Sequence, residues 1–113
     1  MEPQGREYVT AEIDKRQHRR AKLVTQVRCD ALGREDLMLT RDVSVGGMFV
    51  TAKDPFPSDS EVALSFSLRA GDPPIASRGK VVYSLPGMGM GITFVDLSEE
   101  ARQTLQKFVD EAA

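Results

Sequence analysis

Two short stretches concentrate the residues that could do chemistry. Residues 14–22, "DKRQHRRAK", gather five lysines and arginines and the only histidine of a 113-residue chain whose formal net charge is -2. Arg16 and Arg20 stand four apart, with Arg19 and Lys22 nearby. Two guanidiniums so spaced can converge on one dianionic ligand when the segment turns. Their planar forks bond phosphate oxygens or the Hoogsteen edge of guanine bidentately, and their faces stack on bases. Residues 42–47, "DVSVGG", form the second stretch. Asp42 and Ser44 sit two apart and would project to one face of a strand, with Gly46 and Gly47 leaving room beside them. A carboxylate there can accept the paired N–H donors of a guanine edge, and a hydroxyl can bond a phosphate or a base atom. Each stretch also has a plain structural alternative: a solvated charge run for the first, an Asx-type turn followed by a bulge for the second.

Other chemistries lack parts. His18 lies inside the cationic run, where its imidazolium is disfavoured, and reads as a solvated or packing histidine rather than a catalytic base. One histidine and one cysteine, Cys29, cannot build the usual metal shells or an internal disulfide. "GMGMG" has no Lys-Ser or Lys-Thr after it and precedes a strand, so it reads as a turn rather than a phosphate loop. The chain is thus expected to be no enzyme and to hold no metal or cofactor. With a pI near 5.4 it lacks the broad basic field of a general nucleic-acid or membrane-surface binder. No recognition-helix pattern supports DNA binding either. No apolar stretch resembles a signal peptide or a spanning helix, which predicts a soluble, cytoplasmic protein with no direct membrane insertion.

The elements that must position these residues are legible as alternating strands. Residues 1–13 mix charges with Pro3 and Gly5 without period and are expected to be a flexible tail, with one domain over 14–113. "LVTQVRC" puts Leu23, Thr25, Val27 and Cys29 on one face. "DLMLTRDV" is its return strand across the turn "ALGRED", where Gly33 is free to take positive φ. The glycine pair of "SVGGMFV" marks a bulge or a place where something approaches the backbone. "KDPFPSDS" is a loop, "EVALSFSL" a clear strand, and "IASRGKVVYSL" and "GITFV" two more around the turn "PGMGM". At the end, Leu97, Ala101, Leu105, Phe108 and Ala112 recur at helical spacing, with Ser98 as N-cap and Glu99 and Glu100 in the first turn. About six antiparallel strands and one amphipathic helix predict an all-β fold: a small closed barrel or sandwich with the helix laid against an opening or an edge.

In this order and at this separation, "RQHRR" and "DVSVGG" resemble the RxxxR and (D/N)xSxxG signatures of the PilZ family, bacterial receptors for the second messenger cyclic di-GMP. The resemblance covers roughly residues 14–110, and "GGMFV", "GKVVYS", "GMGITFVDLS" and the terminal helix extend it. It implies a six-stranded antiparallel β-barrel with a C-terminal α-helix. It also implies a site in which Arg16 and Arg20 grip phosphates and guanine faces from a segment before the first strand. Asp42, Ser44 and Gly47 would receive a guanine on the barrel surface. Lys15, Arg19, Lys22 and Gly46 would support them, and Lys15 stands where many relatives carry another arginine, which allows one bound nucleotide or a stacked pair. The function so implied is a non-catalytic cyclic di-GMP receptor that orders its N-terminal arm onto the barrel. Its effect would pass to a protein effector in motility, pilus or exopolysaccharide machinery, with the receptor a monomer or weak dimer. The alternative is a protein-interaction adaptor of the same fold with little or no nucleotide binding.

Overall fold

A computed structural model describes residues 19–112. The expected tail over 1–13, together with Lys15, Arg16 and His18, lies outside the described residues. Seven strands precede one helix: β1 (Ala21–Lys22), β2 (Gln26–Ala31), β3 (Arg34–Val43), β4 (Gly47–Thr51), β5 (Glu61–Phe66), β6 (Ile75–Leu85), β7 (Gly89–Phe94) and α1 (Glu99–Ala112). All pairings are antiparallel, in the order β3-β2-β5-β6-β7-β4, and a further β3–β4 pairing closes the ring. The predicted six-stranded barrel with its closing helix is therefore present, and the two-residue β1 is an extra strand that pairs with the end of β3 beyond β2. The β2–β3 hairpin turns at Leu32 and Gly33, both at positive φ, as the "ALGRED" turn requires.

Alternation builds the interior. Val27 and Cys29 of β2, Val62, Leu64 and Phe66 of β5, and Val81 of β6 point inward, joined by Met48 and Val50 of β4 and Met90 and Ile92 of β7. β7 begins at Gly89, inside the stretch read as a turn, so Met90 is a core residue while Met88 stays exposed. Phe56 plugs the same core from the proline-rich loop, with the Arg34 guanidinium 4.3 Å over its ring. The Ser98 hydroxyl caps α1 by accepting the Ala101 N–H at 3.0 Å, and Leu105 is fully buried in the barrel's own core cluster. Val109, one turn further, completes the buried stripe, whereas Ala112 is exposed at the helix end. Arg69 ties down the far end through Glu111 at 3.2 Å and the face of Phe108 at 5.1 Å.

The segment that leads from the basic run into the barrel is held along β3. Ala21 and Lys22 pair with Val43 and Asp42, and the Leu23 N–H bonds the Arg41 carbonyl at 3.2 Å. Buried Thr40 locks the next turn: its Oγ1 donates to the Leu23 carbonyl at 2.6 Å and accepts the Thr25 N–H at 3.0 Å. Arg20 therefore reaches the barrel at a fixed place.

Candidate functional site

Strict alternation along β3 would send Asp42 into the core behind Met38 and Thr40. A β-bulge between Thr40 and Asp42 prevents this. Arg41 becomes the extra residue, so Arg41 and Asp42 both face outward and Val43 takes the core position, fully buried. A bulge thus spares the fold a buried carboxylate and presents two consecutive polar side chains on the outer wall. A second bulge, between Val81 and Tyr83 of β6, does the same for Val82 and Tyr83. Between the two bulges, across β4 and β7, lies an open hollow of about 790 Å³.

Arg20 and Asp42 meet at its rim. Arg20 donates from Nε at 2.8 Å and also from Nη2 to Asp42 Oδ1, and Arg41 Nε lies 3.9 Å from Oδ2. The Arg20 and Asp42 side chains are about one-quarter exposed, so their charges are partly shielded from water yet open to a ligand. Lys22 is the register partner of Asp42, which puts both on one face of the β1–β3 ladder, and Arg19 is exposed just before it. The structure thus brings together one arginine of the first motif and the carboxylate of the second, from positions 22 residues apart.

Ser44 and the glycines close the corner of the hollow. Ser44 is 2 % exposed, and its Oγ accepts the N–H groups of Gly46 at 3.1 Å and Gly47 at 3.2 Å, while its own N–H bonds the Gly47 carbonyl at 2.8 Å. Its hydroxyl shapes the turn, as Ser side chains do at such positions. What approaches Gly47 is β7: a Cβ at this position would lie 2.0 Å from the Ile92 carbonyl oxygen. The Gly46 carbonyl is held by Phe94 N–H at 2.9 Å and by Thr93 Oγ1 at 3.1 Å. Asp42, Ser44, Gly46 and Gly47 all border the hollow, with Asp42 the one whose functional atoms face outward most freely.

Arg41, Phe49 and Tyr83, lining residues that were not singled out from the sequence, form one cluster. The Arg41 guanidinium lies 4.1 Å over the Phe49 ring, and Phe49 stacks on Tyr83 with centroids 6.2 Å apart and planes at 30°. Phe49 is the one bulky residue of β4 that points outside the barrel, yet it is only 4 % exposed beneath this cover. Arg41 directly precedes the second motif, but period-two reading gives no sign that it shares a face with Asp42. Among the described residues, no three His, Cys, Asp or Glu side chains gather as a metal site would, and no helix is long and apolar enough to cross a membrane.

The family model described as PilZ domain matches residues 14–111, a span that includes both motifs and every element of the barrel. The chain belongs to the PilZ domain family. Solved PilZ relatives share its fold. They include the Bacillus subtilis inhibitor of motility MotI/DgrA (TM-score 0.75, 21 % identity, 85 % of this chain and 50 % of that one). The Borreliella burgdorferi PlzA protein in complex with c-di-GMP aligns with TM-score 0.69 and 17 % identity, over 86 % of this chain and 42 % of that one. The PilZ domain of Escherichia coli YcgR with c-di-GMP aligns with TM-score 0.70 and 12 % identity, over 88 % and 92 %. This PilZ chain spans about half the length of the first two. No curated protein matches it significantly in sequence.

Proposed function

We propose that this PilZ domain is a non-catalytic receptor for cyclic di-GMP, which binds in the hollow between the two bulges. What supports the reading is a single convergence: Arg20 from the first motif and Asp42 from the second meet at the rim of one cavity of ligand size. Without ligand, Asp42 neutralises Arg20 and holds it in place. A bound dinucleotide offers both groups better partners at once. Its phosphate takes the guanidinium, and the N1 and N2 donors of a guanine take the carboxylate. Ser44, Gly46 and Gly47 keep the rim in shape, while Lys22 and Arg19 add positive potential.

Residues from Arg20 onward are tied to β3, which supports a relay in which binding orders the arm that carries Lys15 and Arg16 onto the barrel. An effector protein in motility, pilus or polysaccharide machinery then reads the ordered arm. The Bacillus subtilis relative MotI is named as an inhibitor of motility. Exposed Leu39 and Leu85, placed in one row across β3, β4, β7 and β6, and the neighbouring exposed Met88 favour a protein partner beside the hollow.

The test is a binding titration with Arg16→Ala and Arg20→Ala. Each removes charge-assisted bonds worth about 1.5–3 kcal/mol, so affinity falls roughly ten-fold to a hundred-fold or more. Wild-type affinity in both variants would sink this site.

A further inference from the structure

The aromatic wall of the hollow lies outside both signature motifs. Tyr83 belongs by strict alternation on the inner face with Val81, and the β6 bulge turns it out. Its ring then lies against Gly91 of β7, where a Cβ would fall 2.3 Å from its Cε1, so only glycine permits this seat. Phe49, the register partner of Gly91 on β4, supports the ring from the side. The outcome is a planar side chain fixed by three strands, 46 % exposed, lining the same hollow as Arg20 and Asp42. A residue needed only to cover Phe49 would serve equally well as leucine; a flat ring aimed into a nucleotide-sized hollow suits a base. Tyrosine brings large, rigid stacking area with few torsions to freeze.

We propose that Tyr83 is a base-stacking residue of this site: one purine of a cyclic dinucleotide lies on its solvent-facing ring while Asp42 reads that base's edge or its partner's. The proposal rests on the receptor reading above and adds a residue to it. Stacking on an aromatic side chain depends on the ring's face and little on its hydroxyl. Tyr83→Phe therefore keeps cyclic di-GMP affinity within about two-fold. Tyr83→Leu, which preserves an apolar cover over Phe49 and Gly91, loses about ten-fold or more.

The experiment titrates cyclic di-GMP into wild type, Tyr83→Phe and Tyr83→Leu, with melting temperatures for each. It also records the Tyr83 ring protons by NMR in a Tyr8→Phe background, which leaves one tyrosine. The expected result is the Phe-retained, Leu-lost pattern with an upfield shift of the ring protons on binding. Wild-type binding with undiminished Tyr83→Leu affinity, or with unshifted ring protons, overturns the stacking role and leaves the receptor reading standing. Absence of wild-type binding overturns the receptor reading and the stacking role with it.

Discussion

Replacing Gly47 with alanine separates two roles that this glycine could play. If its purpose is to let a ligand approach, the substitution costs affinity and leaves the fold intact. The geometry says otherwise. The added Cβ would sit 2.0 Å from the Ile92 carbonyl oxygen and 3.0 Å from both Ile92 C and Thr93 Cα, all of them backbone atoms that no rotamer change can move. β7 must retreat by about 1.4 Å to bring that oxygen to ordinary contact distance. The two bonds that anchor the Gly46 carbonyl, from Phe94 N–H at 2.9 Å and Thr93 Oγ1 at 3.1 Å, then stretch past useful length. Overpacking strain of about 1–3 kcal/mol, with about 1 kcal/mol for each lost bond, gives a loss of roughly 3–5 kcal/mol. That is a large part of the roughly 5–15 kcal/mol that holds a domain together. Urea unfolding followed by circular dichroism reads it directly. With an m value of roughly 1.5 kcal/mol/M the midpoint falls by about 2–3 M. A midpoint within about 0.5 M of wild type, above all with reduced cyclic di-GMP affinity, would refute the argument and return Gly47 to the ligand.

Two further outcomes follow from the barrel interior. Thr40→Val leaves the Leu23 carbonyl and the Thr25 N–H without their buried partner, and should lower stability by about 1–3 kcal/mol, or roughly 5–15 °C in melting temperature; an unchanged melting curve would show that the clamp carries no weight. Burial, followed by the nearby Asp36 charge, pushes the Cys29 thiol from 9.0 up to about 12. The unfolded thiol ionises above pH 9 while the folded one keeps its proton, so stability falls with rising pH between about 9 and 12, by at most ~1.4 kcal/mol per pH unit from this group. Cys29→Ala should show a shallower alkaline decline than wild type in denaturant titrations at pH 8 and pH 10.5; parallel declines would contradict the assignment.

The strands that alternate cleanly were open to reading from the sequence. Val62, Leu64 and Phe66, or Val27 and Cys29, have one periodicity and one buried face, and the structure keeps it. So was the helix, because Ser98 and the stripe through Leu105 are local signals. The bulges were not. Each shifts the phase of alternation by one residue, and nothing in "TRDV" or "VVYS" marks where the shift falls, so Arg41 and Tyr83 could not be assigned to the wall of the site. Phe56 was hidden for a related reason: prolines announce a loop, and only the fold shows that the loop sends one ring into the core. The motif residues stand out by their types and order, and those from Arg20 onward border one hollow. Their division of labour does not stand out, since the sequence shows a Ser and two Gly beside an Asp without showing that Ser44 is occupied by its own turn and Gly47 by β7.

The measurement that bears most directly on the receptor reading is isothermal titration of the wild-type protein with cyclic di-GMP, alongside cyclic di-AMP and GTP. The account predicts saturable heat with cyclic di-GMP alone, at one or two nucleotides per chain, and a matching rise in melting temperature. No heat and no thermal shift with cyclic di-GMP would contradict it, and would leave a PilZ barrel that works through protein contacts alone.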